Sequence, residues 1–238
     1  MLELNEIDFD SHSAYKRYKA RKALLNILFF PILFLIIMWM VKLIEHNFQL
    51  SFADYGVYPQ SLSGLKGIVF SPFIHKDFSH LINNSYPILI SGGMLFSFYK
   101  KIAHQLFLWL FFIAGFWLWI IGRPSFHIGA SGIIYALASF LFISGVIRKN
   151  PRLSAVSMII IFLYGSMIWG ILPTKNPISW EGHLSGFLAG ILVAIFYRNK
   201  GPKRKKYQWE IDEELEEELL KNSTTRFHYT LKEKNKLN

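Results

Sequence analysis

The chain has 238 residues, 52% of them hydrophobic and 17% aromatic, with a formal net charge of +10 and no cysteine. Without cysteine, neither a disulfide framework nor a thiolate metal site is available. The positive charge crowds against the ends of long apolar blocks, where membrane orientation accounts for it, so nucleic acid is not expected as a partner.

Long apolar blocks separated by short charged loops predict an all-α polytopic membrane protein. Residues 1–22 are expected to form a cytoplasmic tail, carrying Glu3, Glu6, Asp8 and Asp10 ahead of a basic run. The first block, 23–41, lies between Arg21-Lys22 and Lys42 and contains Pro31, which a spanning helix tolerates. No small-residue cleavage site follows it, so it is expected to be an uncleaved span. The loop 43–79 holds Gly56, Pro59, Gly64, Gly67 and Pro72, and its length points to a function or to a place on the membrane.

Further spans are expected at 81–99, closed by Lys100-Lys101; at 102–121, rich in Trp and Phe; at 129–147, closed by Arg148-Lys149; and at 153–172. The last begins near His183 and ends at Tyr197; a span needs about 17–25 residues, so it must start a few residues earlier, within 177–182. Residues 23–197 thus form a six-helix membrane domain. Most Lys and Arg fall on one side of it, against only Lys42, Lys66, Lys76, Arg123 and Lys175 on the other. The basic side is cytoplasmic by the positive-inside rule, which puts both termini inside, in the cell (inner) membrane. The remainder, 198–238, reads as a cytoplasmic tail. Its strip Lys203-Arg204-Lys205-Lys206 suits anionic lipid headgroups, and the acidic stretch 209–220 is either a surface helix or solvated chain.

With this topology the starts of the second, fourth and sixth spans share the outer face. The polar residues gather there: His75, His80, Asn83 and Asn84; His127 and Ser131; His183. Polar groups in a membrane are costly, so their convergence at one depth marks a water-accessible site. Ser131 lies in Gly129-Ala130-Ser131-Gly132, and alone such a serine more often bonds back to its own helix. His183 opens a run in which Gly186 and Gly190 form a small-residue face, matched by Gly132 and Ala136 on the fourth span. Two such faces let backbones approach closely, within reach of a serine–base pair; a histidine held by a backbone carbonyl is the plainer alternative. His80 and Asn84 share a helix face and either donate to an oxyanion or tie the second span to the bundle, with Asn83 on the edge of that face. No Asp or Glu lies between Asp77 and Glu181, which removes paired-aspartate and glutamate-assisted zinc proteolysis and leaves Ser131 without a triad acid. No metal or cofactor is expected.

Gly129-Ala130-Ser131-Gly132 followed by Tyr135 resembles the Gly-x-Ser-Gly signature of the rhomboid intramembrane serine proteases. His183 with Gly186 and Gly190 is similar to their last-helix histidine motif, and His75, His80 and Asn84 to the His-x4-His-x3-Asn pattern of their second helix. The Trp-Arg pair frequent in the family's first outer loop is not evident; Lys66-Gly67 stands at about that place. The resemblance implies a rhomboid-like six-helix bundle with a Ser131–His183 dyad below the outer surface. It further implies an oxyanion site lined by His80, Asn84 and the Ser131 amide, with Tyr135 packed on the His183 ring. Substrates would be membrane-anchored proteins cut within or beside a spanning helix. The alternative is a catalytically silent relative that binds transmembrane clients.

Overall fold

The computed structural model describes residues 3–151, 153–155, 158, 162, 170–173, 179–202 and 208–234. Among these residues the protein is helical, with no strand and a single isolated antiparallel bridge, Val57 to His127. Contacts divide it into two units, Met1–Pro202 and Lys203–Asn238.

The first unit begins with helix α1, Glu3–Asn47, which runs unbroken from the acidic leader through the first apolar block. Its Pro31 ring packs toward Gly92 of α3 (Phe78–Phe98), where any larger side chain would crowd it. Asp77 caps α3 by accepting the His80 N–H at 2.7 Å, the usual remedy for an orphaned first-turn donor. Helix α4 is Ala103–Ile121, α5 is Ser131–Ile147 and α6 is Trp180–Phe196. Helix α6 starts three residues before His183, capped by Ser179, whose Oγ accepts the Gly182 N–H at 3.2 Å.

Many large apolar side chains, among them Phe29, Trp109, Phe112, Phe116 and Phe196, point outward. A water-soluble surface rarely carries so much contiguous apolar area, whereas hydrocarbon accepts it without cost. By length and composition, Ser13–Asn47 and Ala103–Ile121 are long and apolar enough to cross a bilayer, while α5 and α6 are shorter apolar helices. Most of the expected span 153–172 lies outside the described residues, so the count of six is not established by them.

Short helical turns order the loop between α1 and α3: Ala53–Tyr55, Leu62–Lys66, α2 (Gly67–Phe70) and Ser71–Phe73. Lys42 Nζ at the end of α1 donates to the carbonyls of His75 (2.9 Å) and Lys76 (3.0 Å) and pairs with Glu45 at 3.2 Å. Glu45 also accepts the Phe52 N–H at 2.8 Å. Lys66 lies over the Tyr55 ring, 4.5 Å from its centroid, a cation–π contact within the loop. These ties anchor the loop where the Trp-Arg pair is not evident.

In the second unit, α7 covers Gln208–Lys234, so the acidic stretch is helical and the helix continues well past it.

Candidate active site

Ser131 is the first residue of α5, and a sharp backbone turn delivers it. Gly129 has φ +109°, a left-handed conformation that a side chain would strain. A Cβ there would also meet the His80 ring at 2.7 Å, so His80 rests directly on the backbone leading to Ser131. The Gly129 N–H donates to the Ser71 carbonyl at 2.9 Å, which fixes the same turn to the loop between α1 and α3.

The seam between α5 and α6 brings in His183. Gly186 lies against the carbonyl of Gly132, and Gly190 against Ala136 and Ser139, with no room for side chains. At that separation His183 Nε2 stands 2.9 Å from Ser131 Oγ. His183 Nδ1 is 2.9 Å from the carbonyl of Gly170. A carbonyl can only accept, so Nδ1 carries the proton and Nε2 presents a lone pair to the serine hydroxyl. Tyr135 stacks on the imidazole, ring centroids 4.3 Å apart and planes 12° from parallel. His183 is 8% exposed. Together these contacts hold one tautomer and one ring orientation.

Asn84 is buried, and its Nδ2 donates to the His80 carbonyl at 2.8 Å. An amide nitrogen has two hydrogens, so one is left to donate elsewhere. His75 packs edge-on against His80, centroids 5.0 Å apart. Burial pushes the His75 pKa down to about 3, with the nearby His80 adding to the shift, so this ring is neutral and serves as packing for its neighbour. A cavity of about 40 Å³ adjoins Ser131, bordered by Ser71, Phe111, Gly115, His127 and Ser179. It is large enough for a water molecule and has polar groups to hold one. Among the described residues no cluster of three or more His, Cys, Asp or Glu could hold a metal ion.

Sequence reasoning brought Ser131, His183, His80 and Asn84 to one depth but missed the third partner of His183. That partner is the Gly170 carbonyl, and a backbone acceptor leaves no residue-type signal. It also missed Ser179, whose signal was available as a helix cap three residues before Gly182. Glu181, set aside as a triad acid, is buried and pairs with Arg123 at 3.6 Å.

The family described as the rhomboid domain matches residues 63–200, which contain every residue of this site. The chain belongs to the rhomboid family, most of whose members are intramembrane serine proteases. With the apolar helices, this makes it a membrane protein. It is similar to an uncharacterized protein of Mycobacterium tuberculosis, 29% identical over 185 residues, covering 72% of this chain and 75% of the relative. An uncharacterized protein of Mycobacterium leprae is 29% identical over 183 residues, covering 72% and 71% respectively.

Proposed function

We propose that this protein is an intramembrane serine endopeptidase acting through a Ser131–His183 dyad on membrane-anchored proteins. In this reading residues 23–197 form a six-span protease domain in the cell membrane, flanked by cytoplasmic tails at 1–22 and 198–238. The observation that carries it is the 2.9 Å approach of an unprotonated His183 Nε2 to Ser131 Oγ, with Nδ1 held by the Gly170 carbonyl. A histidine kept only for packing would have no reason to present its lone pair to a hydroxyl at the first turn of a neighbouring helix.

The chemistry follows from that geometry. Ser131 Oγ attacks the scissile carbonyl carbon as its proton passes to His183 Nε2, and the Gly170 carbonyl stabilises the imidazolium through Nδ1–H. The carbonyl oxygen becomes an oxyanion, which the remaining Asn84 N–H, the His80 ring and the Ser131 amide stabilise. His183 then gives its proton to the departing amine as the C–N bond breaks. Water, deprotonated by His183, attacks the acyl-enzyme and releases Ser131 with its hydroxyl restored. The cavity beside Ser131 offers a place for that water. A helical substrate must unwind locally, and Gly, Pro or Ser near the scissile bond lowers that cost.

The test is purified wild type and Ser131→Ala incubated with a single-span substrate in detergent. Ser131→Ala and His183→Ala are each expected to lose at least about 10³-fold in turnover. Ser131→Ala should unfold like wild type, and His183→Ala should lose ~1–3 kcal/mol of stability. A fluorophosphonate should label wild type at Ser131 and fail on His183→Ala. Cleavage by Ser131→Ala at the wild-type rate would refute the dyad, and a wild type inert to several substrates and to the label would favour a silent client-binding relative.

A further inference from the structure

His127 and Ser179 each lie four residues ahead of a member of the dyad, His127 before Ser131 and Ser179 before His183. Their side chains meet, with His127 Nδ1 2.6 Å from Ser179 Oγ. The two segments that lead into the dyad are therefore joined to each other four residues ahead of it.

The proton positions in this contact can be worked out. His127 Nε2 is 3.1 Å from the Arg123 carbonyl, which can only accept, so Nε2 carries the hydrogen. Nδ1 is then an acceptor and the Ser179 hydroxyl donates to it. Ser179 Oγ in turn accepts the Gly182 N–H at 3.2 Å, capping the helix that bears His183. The Ser125 hydroxyl, 3.4 Å from Nε2, can share that hydrogen as an acceptor, so the chain from Gly182 through Ser179 and His127 to the Arg123 carbonyl runs in one direction. His127 is 3% exposed. Burial lowers its pKa, and a neutral ring is what this pattern needs; the facing charges, Arg123 and Glu181, pull in opposite directions. The His127 backbone exchanges both bonds with Val57, each at 2.9 Å, so the outer loop is fastened at the same point. The Arg123–Glu181 pair is a second tie between the same two segments.

We propose that His127 is a positioning residue: its bond to Ser179 clamps the start of α6 to the segment entering α5 and so sets the Ser131–His183 separation. This rests on the protease reading above. Both side chains border the cavity beside Ser131, but their hydrogen bonds go to Arg123, Ser125, Gly182 and each other, so the clamp acts on the rate of the chemical step through geometry. A displacement of about 1 Å between reacting groups can cost on the order of 10²-fold.

The experiment compares His127→Leu, which removes the bond, with His127→Asn, which returns an acceptor near the place of Nδ1. His127→Leu is expected to lower kcat about 10-fold to 100-fold with KM within about twofold, and His127→Asn to recover most of it. Ser179→Ala also removes the Gly182 cap, so its loss should be at least as large, and adding His127→Leu to it should cost little more, because the shared bond is already gone. Ser179→Ala with Ser179→Thr as its rescue carries the same test should His127→Leu fail to fold. Amide exchange in the peptide containing Gly182 should quicken in His127→Leu and return to normal in His127→Asn. Wild-type kcat in His127→Leu, or an equal loss in His127→Asn, overturns the positioning role, and unchanged Gly182 exchange overturns the clamp itself. A wild type that neither cleaves nor takes a serine label, while Gly182 exchange still responds, removes the protease reading instead and leaves only a structural tie.

Discussion

At the scale of single residues, the site is a set of commitments made by hydrogen bonds. Asn84 spends one amide hydrogen on the His80 carbonyl, which holds its side chain and leaves a second hydrogen that, in the proposed mechanism, meets the developing negative charge. Loss of one such donor typically costs about 10²-fold in rate. Asn84→Ala is therefore expected to lower kcat by about that factor with a smaller change in KM, as steady-state cleavage of a single-span substrate would show. Wild-type turnover in Asn84→Ala alongside a slow Asn83→Ala would move the role to Asn83. His75 makes a different prediction, about pH. Its folded pKa of about 3 lies below the 6.5 of an unperturbed histidine, so between these values the unfolded chain binds more protons than the folded one. The stability that His75 contributes is complete above about pH 6.5 and is lost as pH falls through that window. The thermal midpoint in detergent should drop between pH 7.5 and pH 5, and His75→Gln should flatten the slope. His127, also shifted down by burial, acts in the same sense, so the flattening is partial. Asp77, held below its usual range chiefly by the His80 N–H, enters only at more acid pH.

At the scale of elements, the α5–α6 seam decides whether there is a dyad at all. The pairing of Gly186 with the Gly132 carbonyl sets how close the helices come, and Ser131 and His183 ride on that spacing. A methyl group at 186 has no cavity to enter. Gly186→Ala should force the helices apart at a cost of about 1–3 kcal/mol, the usual range for overpacking. Turnover should fall by more than the stability loss explains, since the reacting atoms separate. Leu188→Ala, on the partly exposed side of the same helix, should leave turnover near wild type. Unfolding in denaturing detergent and kcat on both variants check this; an active, stable Gly186→Ala protein would remove the seam from the argument. The small-residue pattern made this contact legible in advance, because Gly186 and Gly190 facing Gly132 and Ala136 mark a close helix crossing. The start of α6 was less legible: its capping serine and the carbonyl that orients His183 come from separate segments, and only folding brings them together.

At the scale of the whole molecule, the charge bias gives the proposed site an expected side of the membrane. Ser131 and His183 lie at the starts of α5 and α6 and the loop 48–77 leads into α3; the opposite ends of these helices are followed by Arg148-Lys149, Arg198 and Lys100-Lys101. The expected outcome is that single cysteines at 54 or 123 label with an impermeant reagent from outside, while those at 100 or 149 label only after the inner side is opened. The native chain has no cysteine to interfere. The reverse labelling pattern would invert the topology and place the dyad toward the cytoplasm.

What the sequence determined by itself was the solvent and the cast. Runs of apolar residues bounded by Lys and Arg specify helices in a bilayer, because only a helix satisfies every backbone group without water. The absence of acid between Asp77 and Glu181 removed the acid-dependent protease classes and left a serine and a histidine as the expected pair. Tertiary structure decided the state of that pair. Which imidazole nitrogen carries the proton depends on the Gly170 carbonyl, and the approach to Ser131 depends on two glycine backbones in contact. Backbone atoms are common to all residues, so no residue type announces the part they play, and a hydrogen bond spanning 52 positions, such as His127 to Ser179, exists only once the helices have packed.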